Sequence, residues 1–183
     1  MKYPICKLDL KSDILCPKCE EKLRKGLVSE IDIKICKLLY ELEEEGKYPI
    51  LKRDDIEYVK AAISSGMIII VLKGHRGGLN TLTREWRRIA ESLKELMLKK
   101  GILLDRKTTV RFIVDRSNIR SNIEQVLHPI RLLEFKESWL LDGTEVIYLK
   151  VSAKDVRRSK MDVKILEEAL KKLIGVEVKI NVI

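Results

Sequence analysis

Met67-Ile-Ile-Ile-Val-Leu72 is an unbroken apolar run, mostly β-branched, that ends at the glycine-rich segment Lys73-Gly-His-Arg-Gly-Gly78. Side chains of a strand alternate between its two faces, so a strand with no polar position needs cover on both sides. Such a strand lies inside a layered α/β molecule. The run is far shorter than the roughly 20 residues that cross a bilayer. The rest of the chain must therefore supply helices to cover a sheet, and 183 residues suffice for one large core or two small ones.

Helical periodicity is present on both sides of the run. Ser29 reads as an N-cap, and Ile31, Ile35, Leu38, Leu39 and Leu42 recur at three-and-four spacing up to Gly46. The same spacing in Ile56, Val59 and Ile63 predicts a second helix over about 54–64, which makes residues 27–66 a helical hairpin. Beyond the glycines, an amphipathic helix over about 83–100 turns Trp86, Ile89, Leu93 and Leu96 inward, with Arg84, Arg87, Arg88 and Lys94 outward. A strand at 108–114 follows. The last third repeats the grammar: a helix near 117–127 that stops before Pro129, strands at 131–136 and 146–151 joined through Asp142-Gly143, a basic linker at 154–160, a helix over 162–174 closed by Gly175, and a strand at 176–182. The fold class is α/β of the α+β kind, organised as 1–26, 27–66, 67–115 and 116–183.

Lys and Arg number 37 against 28 Asp and Glu, a net charge of +9. Surface ion-pair networks explain abundant charge of both signs but not a positive excess; an anionic polymer does, because cations along a phosphate backbone release condensed counterions. The cations gather in two clusters: Lys73, His75, Arg76, Arg84, Arg87 and Arg88, and then Lys150, Lys154, Arg157, Arg158 and Lys160. Aromatic residues make up 5%, so backbone and shape recognition of folded RNA is expected over stacking on unpaired bases. Catalytic signatures are lacking: His75 and His128 are the only histidines, and no phosphate loop or nucleophile elbow occurs. The expectation is a protein that is not an enzyme.

Met1–Leu10 has no continuous apolar stretch of the signal-peptide kind, which points to a cytoplasmic protein with reduced thiols. Residues 1–26 hold three of the four cysteines and too few apolar residues for a core. Cys16-Pro-Lys-Cys19 is a knuckle that presents two thiolates to one zinc, with Cys6 upstream as a third ligand. Cys36 is one choice of fourth ligand, although it lies among helical aliphatics, where a cysteine is usually a small buried hydrophobe.

The runs Trp139-Leu-Leu-Asp-Gly-Thr-Glu-Val-Ile-Tyr-Leu149, Lys154-Asp-Val-Arg-Arg158 and Leu166-Glu-Glu-Ala-Leu-Lys-Lys-Leu-Ile-Gly-Val-Glu-Val-Lys-Ile180 resemble the archaeal NusA-like KH-domain proteins. The resemblance implies tandem KH-like domains at 67–115 and 116–183, behind a zinc-knuckle-like module at 1–26. It also implies a Gly-x-x-Gly loop that clamps phosphates between two helices. Here the expected place, near 82–86, has no glycine, and Gly74-His-Arg-Gly77 comes earlier; either that loop takes the role or the clamp is lost, and we read loss or remodelling. The family's paired Cys-x-x-Cys motifs imply that the partner of Cys6 stands at position 9, which is Asp9 here, giving a Cys6, Asp9, Cys16, Cys19 zinc set. The functional expectation is an RNA-binding adaptor on the translation machinery, in contact with ribosomal RNA and ribosomal proteins of the small subunit. The alternatives are a factor on the RNA polymerase elongation complex, or a protein–protein scaffold that has lost RNA binding.

Overall fold

The computed structural model describes residues 1–12, 14–74, 84–103 and 105–183. Two short helices, α1 (Lys7–Lys11) and α2 (Pro17–Arg24), precede α3 (Glu30–Glu44), a 3-10 turn at Pro49–Lys52, and the strands β1 (Ile56–Ile63) and β2 (Met67–Gly74). Then come α4 (Arg84–Lys99), β3 (Thr109–Val114), α5 (Ile119–Leu127), β4 (Leu132–Trp139), β5 (Glu145–Val151), α6 (Ala153–Ser159), α7 (Val163–Ile174) and β6 (Glu177–Val182).

The strands form two three-stranded sheets of identical plan, β1-β2-β3 and β4-β5-β6. In each, the first pair is antiparallel and the second parallel. A parallel neighbour requires a crossover, supplied by α4 in the first unit and by α6 and α7 in the second. With α3 leading the first unit and α5 the second, one order occurs twice: helix, two strands, helical crossover, strand.

The apolar run is the middle strand of the first sheet. Ile68, Ile70 and Leu72 enter one core with α3, α4 and the N-terminal segment, whereas Met67, Ile69 and Val71 enter a second core with α5, α7 and the other sheet. The molecule is thus four layers deep, helices and sheets alternating, with α7 packed against both β1 and β2 on one side and β6 on the other.

Residues 54–64 do not form the expected helix, and 27–66 is no helical hairpin. The segment is β1, whose register slips between Tyr58 and Lys60. Ile56 and Tyr58 face the first core; past the bulge that face is taken by Ala61 and Ile63, while Ala62 turns to the second. The bulge breaks strict alternation and creates a spacing that imitates a helix. It also turns Lys60 out of the first core, and its ammonium caps α7 by donating to Leu173 O at 2.7 Å. The first unit accordingly begins with α3 and not at residue 67, because β1 and α3 are part of its sheet and core. The basic linker at 154–160 is also largely helical, as α6.

Asp32 locks α3 to β1. Its Oδ2 accepts from the Ser29 backbone N–H at 2.9 Å, closing a capping box, and its Oδ1 accepts from Tyr58 OH at 2.6 Å and Ala61 N–H at 2.7 Å. Among the described residues, no helix is long and apolar enough to cross a membrane.

Candidate functional site

The N-terminal segment folds back on itself so that one ligand atom from each of Cys6, Asp9, Cys16 and Cys19 lies within 4.8 Å of the others. Local structure explains the approach. Cys6 and Cys16 stand at the N-caps of α1 and α2, which places Asp9 and Cys19 one helical turn further on. The Cys6 and Cys16 sulfurs are 3.9 Å apart, and the Cys6 N–H donates to Cys19 Sγ at 3.4 Å. Asp9 is 3% exposed. Its Oδ1 accepts from the Cys16 N–H at 3.1 Å, whereas its Oδ2 is buried with no hydrogen-bond partner among the described residues. A buried carboxylate oxygen left without a donor is costly unless a cation meets it. The nearby Cys19 thiol, with help from Cys16, holds the Asp9 carboxyl down to about 2, and burial pushes the Cys19 thiol up to about 12. The four residues can hold a metal ion. Cys36 is not among them: it is fully buried in α3, where burial raises its thiol well above the usual range.

The expected RNA-binding cations are all on the surface where described. Lys73 ends β2; Arg84, Arg87 and Arg88 open α4; Lys154, Arg157 and Arg158 lie on α6; and Lys160 occupies the α6–α7 turn with a left-handed φ of 56°. His75, Arg76 and the loop Gly74-His-Arg-Gly77, apart from Gly74, lie outside the described residues. None of the described eight residues has an ion pair among the described residues, whereas Lys11, Arg53, Arg120, Arg131 and Lys171 all do. Lys150 is likewise tied, to Glu134 at 2.6 Å, which removes it from its cluster.

Arg87 of the first cluster lines a cleft of about 850 Å³ between α4, the open edge of β3 and residues 125–129. Trp86 and Phe112 form its apolar floor, with ring centroids 4.9 Å apart, and Arg87, Lys94 and Arg111 face in with Glu91 as the acid among them. The indole Nε1–H of Trp86, in a residue 1% exposed, has no acceptor among the described residues. In β3 the N–H groups of Thr109 and Asp115 point to β2, so alternation turns those of Val110, Phe112 and Val114 outward; the Gln125 amide satisfies Val114. Val110 and Phe112 thus present backbone donors and acceptors to the cleft.

Arg111 is not among the expected cations. Its guanidinium donates to Val126 O at 2.6 Å and to His128 O, and approaches Met161 Sδ at 3.2 Å, with no carboxylate partner among the described residues. Burial and the neighbouring Arg87 lower its pKa. The signal in the sequence is a cation interrupting Thr-Val-Arg-Phe-Ile-Val, at a strand position that alternation assigns to the core. Its approach to Met161 ties β3 to the α6–α7 turn.

No protein-family model matches the chain, and no curated protein matches it. Among solved structures, a crystal structure of APE1850 is similar at a TM-score of 0.45 and 15% identity, over 67% of this chain and 84% of that one.

Proposed function

We propose that the chain is a non-catalytic RNA-binding protein built from two KH-like units. One observation carries the reading: among the described residues, the exposed cations that open α4 and line α6 stand without ion pairs on a surface where many other cations are paired. Keeping like charges close together and unneutralised costs stability, and a polyanion recovers that cost on binding. The second unit supports the KH-like part, since it runs as strand, Asp-Gly turn, strand, Arg-rich helix, closing helix, Gly175 and strand, in the order the resemblance implies. The cleft suits the backbone of a folded RNA, with Arg87, Lys94 and Arg111 for phosphates. We place that RNA in the translation machinery, on the small ribosomal subunit.

The Cys6, Asp9, Cys16, Cys19 set is proposed to hold zinc. Sulfur ligands at about 2.3 Å around a tetrahedral ion stand about 3.8 Å apart, close to the 3.9 Å between Cys6 and Cys16. Four protein ligands leave no open position, so the ion would be structural, fixing α1 and α2 beside α3.

The test is a titration of labelled small-subunit ribosomal RNA with wild type and with the pairs Arg84→Ala/Arg87→Ala and Arg157→Ala/Arg158→Ala over a salt series. Each pair should weaken binding roughly tenfold and make the salt slope shallower by about one unit for every phosphate that is no longer engaged. Unchanged affinity for both pairs would leave the scaffold reading. Sedimentation of native protein with polymerase instead of small subunits would move the assignment to transcription.

A further inference from the structure

We propose that the β4–β5 hairpin tip of one copy of this chain seats in the α4–β3 cleft of another. Trp139, Leu140 and Leu141 at the tip are 69%, 46% and 110% exposed. The loop that carries them is ordered: Leu140 N–H donates to Thr144 O at 2.9 Å, Gly143 N–H to Leu140 O at 3.0 Å, and Thr144 N–H to Asp142 Oδ1 at 2.9 Å. A hydrogen-bonded hairpin that displays a tryptophan and two leucines has the form of a binding anchor, because part of the backbone cost of ordering it is already met in the free chain.

Charge selects the occupant. Around the tip stand Glu137, Asp142 and Glu145, none with an ion pair among the described residues, against the single cation Lys136, in a chain whose net charge is +9. Those carboxylates would repel a phosphate backbone or an anionic lipid surface. They call for an apolar pocket with a cationic rim. The cleft answers each requirement: Pro129 lines it as an exposed apolar wall over the buried Trp86 and Phe112, and Arg87, Lys94 and Arg111 lack carboxylate partners among the described residues. Its volume of about 850 Å³ lies in the range that encloses a drug-sized molecule, more than an indole and an isobutyl group occupy. The acidic excess of the tip, Glu137, Asp142 and Glu145 against Lys136, and the basic excess of the cleft, Arg87, Lys94 and Arg111 against Glu91, offset one another when the two meet. The contact is small by the standard of stable interfaces, so the association is weak and reversible.

The proposal does not rest on the RNA reading and is tested without nucleic acid, by sedimentation velocity of the full chain at low salt over a concentration series. Wild type should rise above the monomer mass of 21.2 kDa as concentration increases, and the rise should vanish at high salt. Leu141→Arg and Arg87→Glu are both surface changes that leave the cores intact, and each alone should stay monomeric. Their equimolar mixture should associate again, because one supplies an intact cleft, the other an intact tip, and the altered residues form a complementary pair. A wild type that is monomeric throughout, an association that both variants leave unchanged, or a mixture as monomeric as its components overturns the proposal.

Discussion

Asp32 is 7% exposed, and its two oxygens collect the N-terminus of α3, the Tyr58 hydroxyl and the bulged backbone of β1. Removing it strands several buried donors together. Asp32→Ala should cost about 3 kcal/mol in chemical denaturation, well above the roughly 1 kcal/mol of a lone N-cap. Tyr58 shares the network. Burial above all, and the carboxylate it donates to, hold its phenol far above the usual 10.0. The sign follows directly: below about pH 10 folded and unfolded chains both keep the proton, and above it only the unfolded chain ionises, so stability falls as pH rises. Tyr58→Phe should flatten that alkaline decline in denaturation midpoints measured at increasing pH. Of this network only the Ser29 N-cap is legible in the sequence, because Asp32 and Tyr58 meet only when β1 is a strand. The cysteines are legible, since Cys16 and Cys19 are spaced for one ion; Asp9 enters only through the family resemblance.

β1 shows why an element can be misread. Ile56, Val59 and Ile63 carry helical spacing, yet Val59 is 38% exposed and sits at the bulge, outside the alternation that the rest of the strand obeys. Periodicity counts apolar residues and does not see a skipped register. The apolar run of β2 and the stripe of α4 are legible because neither is interrupted. At the same scale lie α1 and α2, which bury only Asp9, Leu10 and Cys19 within their spans and so draw little stability from packing. An ion held by the four ligands would supply the difference. Chelation should lower the melting temperature and open this segment first in hydrogen exchange, and Cys16→Ser should reproduce both effects while chelator has no further action on it. Metal content of the purified protein, by elemental analysis, should fall from about one equivalent to none in that variant.

The two units are joined by more than a linker. The second core draws Ala62, Met67, Ile69, Val71 and Ile113 from the first sheet, and Ile147, Leu149, Val178 and Ile180 from the second. Gly66, in the β1–β2 turn, marks how close the units come: a Cβ there would stand 2.6 Å from Ile165 Cδ1 and 3.2 Å from Cγ2 of the same residue in α7. The Cδ1 end of Ile165 would have to turn away, and its Cγ atoms to give by a few tenths of an ångström. Gly66→Ala should cost about 1–3 kcal/mol, and Ile165→Ala should absorb much of that in a double-mutant cycle read by denaturation. The repeated plan is visible in the sequence as a repeated order of elements, whereas the sharing of α5 and α7 between the sheets is not, since periodicity records that a face is apolar and not what it meets. That shared layer has a consequence for dissection of the protein. A protease cut between Val114 and Ile119 would separate the chain in sequence but leave the pieces clasped, so a nicked sample should migrate as one particle, and neither fragment expressed alone should keep its shape without the other.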